Sequence, residues 1–129
     1  MSKGNSFSIT DRIKSFRYAF AGLKTLFIEE HNARIHLISA LVAITLGFVF
    51  KISPNEWIFL VVVISLVFLC EAFNTALEAL CDYVQPEKHP QIKKVKDLAA
   101  AAVLISALSA LITGIIIFAP KFISVCTNN

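Results

Sequence analysis

The chain has 129 residues, of which 57% are hydrophobic, and a net charge of +3. That apolar share exceeds the roughly 45–50% of soluble domains, and with a mean hydropathy of +0.72 it argues for one integral membrane domain. No Arg-rich tract suggests nucleic acid, and three cysteines without a CxxC spacing suggest neither a disulfide framework nor a zinc site.

Met1 to Ser6 is expected to fray. The first thirty residues are polar and mixed in charge, with no apolar core of a secretory leader. Residues 8–31 predict an amphipathic surface helix that starts near Thr10 and Asp11. Ile9, Ile13, Phe16, Phe20, Leu23 and Phe27 step at three or four, and Arg12, Lys14, Arg17 and Lys24 lie off that stripe. A first membrane span is predicted over 35–53, with its apolar run from Ile35 to Phe50. It is slightly short, but Arg34 or His36 and Lys51 can extend their polar heads outward at its ends.

Ser53-Pro54-Asn55 predicts a turn. The second span is predicted over 56–80, opened by Glu56 and by Trp57, which suits an interface. The polar stretch 82–97, with Pro86 and Pro90, is expected to be a loop. The third span is predicted over 98–119 and stopped by Pro120. Its Ala99 to Ala102, Ser106, Ala107, Ser109 and Ala110 let helices approach closely. Six of the basic residues precede the first span and Lys88, Lys93, Lys94 and Lys96 lie in 82–97, against Lys51 and Lys121 on the other side. The positive-inside rule then makes the N-terminus and the 82–97 stretch cytoplasmic.

No Pro or Gly interrupts the run from Trp57 through Glu78. At about 100° per residue, Glu71, Asn74, Thr75, Glu78 and Asp82 share one helix face. Acids on a membrane helix mark a functional site by default. With Glu29-Glu30 and Lys96-Asp97 they gather polar groups at one boundary. Carboxylates there can hold Mg²⁺ through one or two ligands, a lysine can neutralise phosphate, and a desolvated carboxylate can serve as general base toward a lipid hydroxyl. Those parts amount to phosphoryl transfer. A proton-linked transporter, structural pairing of the acids and a non-catalytic membrane assembly subunit stay open on the residues alone. No Walker-type G-x-x-x-x-G-K-[ST] occurs.

Glu71-Ala-Phe-Asn74-Thr75-Ala-Leu-Glu78-Ala-Leu-Cys-Asp82, followed by Lys96-Asp97-Leu-Ala-Ala-Ala-Ala-Val, resembles the signature of the small prokaryotic diacylglycerol kinase family, which includes the undecaprenol kinases. The resemblance runs from about Arg12 to about Phe118. It implies a homotrimer in the bacterial inner membrane, each subunit giving a surface helix and three spans. It implies transfer of phosphate from ATP, with Mg²⁺, to undecaprenol or diacylglycerol. By matching position it implies Glu71 as catalytic base and Glu30 and Glu78 as metal ligands. Arg12, Tyr18, Glu30, Glu78, Glu87, Lys88, His89, Lys96 and Asp97 fall at nucleotide-contacting positions. Asn74 is implied to support the acidic cluster by hydrogen bonding, beside Asp82. The run Asn32-Ala33-Arg34-Ile35-His36 resembles the undecaprenol kinase branch. The Gram-negative diacylglycerol kinase branch usually has Gln and Glu where Ile35 and His36 stand.

Overall fold

The structure, a computed structural model, describes residues 7–129, so the expected fraying of residues 1–6 lies outside the described residues. It consists of α1 (Ile9–Glu29), α2 (His31–Val49), α3 (Pro54–Val84) and α4 (Pro90–Thr127), with no strand among the described residues. Three of these helices, α2, α3 and α4, are long and apolar enough to cross a membrane. The fold is therefore an all-α membrane protein, with one additional amphipathic helix at its start.

The helix starts show why these segments fold. Ser8, not Thr10, caps α1: its hydroxyl accepts the Asp11 N–H at 3.4 Å. Of the α1 residues only Leu26 is buried, while Ile13, Phe16 and Phe20 are 65–68% exposed. An apolar stripe left open in this way suits the headgroup region of a bilayer. One contact that holds α1 to the spans is the edge-on packing of Phe27 against Phe68 of α3, with ring centroids 5.6 Å apart. Glu30 alone separates α1 from α2. Its extended backbone turns the chain, and its N–H closes α1 on the Leu26 carbonyl at 3.0 Å.

At the other end of α2 the chain reverses through a Schellman-type turn. Ile52 N–H bonds the Gly47 carbonyl at 3.1 Å and Lys51 N–H bonds that of Phe48 at 3.3 Å, with Lys51 left-handed at φ 51°. Ser53 and Glu56 then form a capping box that opens α3. Glu56 also meets Lys121 of α4 at 2.8 Å, tying the two helices together at this end. Ile52, Leu60, Ile117 and Phe118 form a buried cluster beside the pair.

Gly47 is glycine for steric reasons. A β-carbon there would sit 2.7 Å from Trp57 Cη2 and 2.9 Å from Cζ2. The indole is also packed against Phe48, centroid to centroid 4.8 Å, so it has little room to retreat. Gly47→Ala is therefore expected to destabilise the fold by about 1–3 kcal/mol. Thermal unfolding in detergent would read this as a lowered Tm; an unchanged Tm would mean that the indole swings aside freely.

Two boundaries differ from the expectation. The polar stretch 82–97 is non-helical only over 85–89: Asp82 to Val84 continue α3, and α4 begins at Pro90. Proline is pre-organised for the first turn of a helix, and the His89 ring accepts the Gln91 N–H at 3.1 Å as its cap. Lys93 pairs with Asp97 one turn on. Pro120 does not end the helix either; α4 runs on to Thr127. The missing Pro120 N–H frees only the Ile116 carbonyl. Phe50 of the α2–α3 turn packs against both Phe118 and Phe122, at 6.3 and 4.9 Å, bracketing the proline and holding the helix through it.

At 38 residues, α4 is about 57 Å long and exceeds the roughly 30 Å hydrocarbon core. Helix packing is uneven. The α3–α4 contact is by far the most extensive, and α2 meets α3 much more sparsely.

Candidate active site

If Trp57 marks one interface, about 30 Å of helix carries the hydrocarbon core to near Leu77. Glu78 then stands at the opposite boundary, and Glu71 lies about 9 Å inside it. Glu71 is only 2% exposed, among the most buried side chains of the described protein. A bare carboxylate is costly at such a depth. Among the described residues its one ionisable neighbour within ion-pair distance is His36 of α2, whose Nε2 lies 3.1 Å from Glu71 Oε1. The ring N–H is not aligned as a hydrogen bond, so Oε1 remains without a formal donor.

Two further buried oxygens near Glu71 have no partner among the described residues: Asn74 Oδ1 and Thr75 Oγ1. Three orphaned oxygens on one face of a membrane helix cost several kcal/mol unless something outside the chain meets them. They mark this face as a place where a ligand, water or a second subunit belongs.

Glu30, at the α1–α2 junction, and Glu78, two turns further along α3, both lie within electrostatic reach of Glu71. Neither forms an ion pair among the described residues. Beyond Glu78, Asp82 pairs with Lys96 across the α3–α4 turn. Lys96 precedes the apolar span of α4. Its hydrogen bond to Asp82 holds the ammonium above the usual lysine range, with the Asp82 and Glu78 charges adding to it. A hollow of about 620 Å³ opens at this turn, lined by Asp82, Glu87, Lys88, His89, Lys96 and Asp97 among others. The structure thus brings Glu87, Lys88, His89, Lys96 and Asp97 together, and sets Glu30, Glu71 and Glu78 within electrostatic range of one another. Arg12 and Tyr18 stay apart from both groups on exposed turns of α1, with Arg12 over the Phe7 ring at 5.6 Å.

A second opening was not anticipated from the sequence. An apolar groove of about 560 Å³ runs between α2, α3 and α4, from His36 past Leu46, Leu60 and Phe68 to Phe122. Its floor is made possible by small residues of α4, Ala107, Ala110 and Gly114. The sparse packing of α2 on α3 leaves it open. The sequence shows the small residues but not the gap.

Residues 17–118 match the family of prokaryotic diacylglycerol kinases. The chain belongs to that family. It is 33% identical to undecaprenol kinase of Bacillus subtilis over 93% of this chain and 98% of that one. It is 30% identical to diacylglycerol kinase of Escherichia coli K12, over 92% of this chain and 97% of the other. The Helicobacter pylori diacylglycerol kinase is 32% identical over 81% and 87%. Membership in the diacylglycerol kinase family makes the chain a membrane lipid kinase and decides against the transporter and the non-catalytic subunit. In a lipid kinase a buried carboxylate one side chain away from an apolar groove has a chemical use, since the acceptor is an alcohol on a hydrocarbon chain.

Proposed function

We propose that the chain transfers the γ-phosphate of ATP to the hydroxyl of a membrane lipid at the cytoplasmic face of the inner membrane. Undecaprenol is the favoured acceptor and diacylglycerol the second. The observation that carries this reading is the run of acidic and orphaned oxygens from Glu71 to Glu78, joined to the apolar groove through His36, which lines the groove and lies 3.1 Å from Glu71. The lipid chain lies in the groove with its hydroxyl toward Glu71. Glu71 takes the hydroxyl proton as the oxygen attacks the γ-phosphorus; the bond to the β-phosphate oxygen breaks, and ADP leaves.

Glu30 and Glu78 are the carboxylates that would hold Mg²⁺. No group of three or more His, Cys, Asp or Glu among the described residues is arranged as a complete metal site. Two unpaired hard-oxygen ligands fit an ion that keeps its remaining positions for water and phosphate. When bound, Mg²⁺ supplies neutralisation of the charge on the transferring phosphoryl group. Lys96, Asp97, Glu87, Lys88 and His89 hold the nucleotide at the α3–α4 turn; Arg12 and Tyr18, which stay apart from that turn within one chain, would meet the nucleotide of a neighbouring subunit. Asp82 fixes the Lys96 ammonium. Asn74 and Thr75 offer their free oxygens to the bound groups or to a neighbouring subunit. The functional unit is a homotrimer, which would also cover much of the apolar surface that one chain leaves open. The excess of Lys and Arg on the α1 and 85–97 side supports its cytoplasmic orientation.

The test is ADP release by the purified protein in mixed micelles, with undecaprenol, diacylglycerol or no lipid. ADP release that requires both Mg²⁺ and an alcohol lipid, and is faster with undecaprenol, is the expected result. ADP release indifferent to lipid would refute the assignment.

A further inference from the structure

Three features of His36 set it apart from the other two histidines. Its Nε2 lies 3.1 Å from Glu71 Oε1. Its side chain is 24% exposed while that of Glu71 is 2% exposed. It lines the apolar groove, whereas Glu71 does not. The imidazole therefore touches both the groove and the carboxylate. Nothing on its own helix competes for it: Ser39, one turn on, spends its hydroxyl proton on the Ile35 carbonyl at 3.0 Å. Facing it are Glu71 of α3 and, at longer range on the Glu71 side, Glu30 and Glu78.

A general base works only if its free lone pair is aimed. A glutamate on a helix has three side-chain torsions to fix, and bases of this kind are commonly oriented by a third group. Asn74 and Thr75 leave their oxygens unpaired, so neither oxygen anchors the carboxylate. We propose that His36 is the positioning residue for Glu71: its imidazole holds Oε1 and leaves Oε2 turned to the lipid hydroxyl arriving along the groove. The imidazole carries its proton on Nε2 and donates it to Oε1. The contact, unaligned without substrate, closes into a hydrogen bond when the groove fills, as catalytic hydrogen bonds often do. The same ring lines the groove, so lipid and base meet at one side chain. This inference rests on Glu71 being the base, and it adds a residue for which the acid cluster alone gives no role.

Two variants and one spectroscopic measurement test it. His36→Leu keeps the bulk and removes the donor. Its kcat should fall by about 10²-fold, the scale of a misaimed catalytic group, with KM for ATP and for lipid unchanged. His36→Gln restores an N–H donor and should recover most of that loss. In the ¹⁵N spectrum of the imidazole, Glu71→Gln should shift the His36 ring signals and leave those of His31 and His89 in place. A wild-type kcat in His36→Leu would overturn the proposal, as would a loss that Gln fails to recover, or ring signals indifferent to Glu71→Gln. Should His36→Leu not fold, His36→Gln and the ring spectrum decide alone. Activity of Glu71→Gln separates the two claims: a working Glu71→Gln removes the base itself, whereas an inactive Glu71→Gln beside a normal His36→Leu removes only the positioning role.

Discussion

Glu71→Gln is expected to reduce turnover by at least about 10²-fold, the lower end of what a general base contributes, while the protein stays folded. The amide has the shape of the carboxylate but no useful affinity for a proton. Because Glu71 is 2% exposed, its replacement also changes the cost of burial. Removing a buried charge that has no aligned donor relieves desolvation, so stability should be unchanged or slightly higher. His36, about a quarter exposed, is less deeply buried than its partner and is not left as an enclosed group when that partner becomes neutral. Activity should therefore collapse at an equal or raised Tm. Substantial residual turnover in Glu71→Gln would remove Glu71 as the base; loss of activity together with loss of fold would make it a structural residue.

Glu78→Gln should act differently. Glu78 sits two turns nearer the boundary, partly exposed and free of any ion pair among the described residues. If it holds Mg²⁺, the amide should raise the Mg²⁺ concentration for half-maximal activity by on the order of tenfold or more, since even residues behind the ligands commonly cost 10- to 100-fold. Saturating Mg²⁺ should restore part of the rate, which it cannot do for Glu71→Gln. An unchanged Mg²⁺ titration would exclude Glu78 as a ligand. The two substitutions thus separate proton transfer from metal binding on one helix face.

Hydropathy made the three spans and the surface helix legible, because a membrane forces long uninterrupted apolar helices. It failed at the helix ends. Composition reports where water begins, not where hydrogen bonding stops. Pro90 to Asp97 is polar yet helical, because Pro90 fits a first turn, His89 caps it and Lys93 and Asp97 pair along it. Pro120 is tolerated mid-helix because aromatic packing on either side outweighs one lost bond.

The acidic stripe itself was readable, since period 3.6 places Glu71, Asn74, Thr75 and Glu78 on one face. What that face meets was not. The approach of His36 to Glu71 joins residues on different helices, and the groove arises from sparse α2–α3 packing; neither leaves a local periodic trace. Asn74 shows the converse: its position on the stripe is as expected, but its carbonyl oxygen finds no partner among the described residues.

The most direct test replaces Mg²⁺ with Mn²⁺ in a complex with a non-hydrolysable ATP analogue, bound to isotope-labelled protein in micelles. Paramagnetic broadening should centre on Glu30, Glu78 and the 85–97 segment and reach Glu71, with Glu56 and Lys121 at the far end of α3 and α4 untouched. Broadening centred on that far end, or none at any residue when the analogue is bound, would contradict the account.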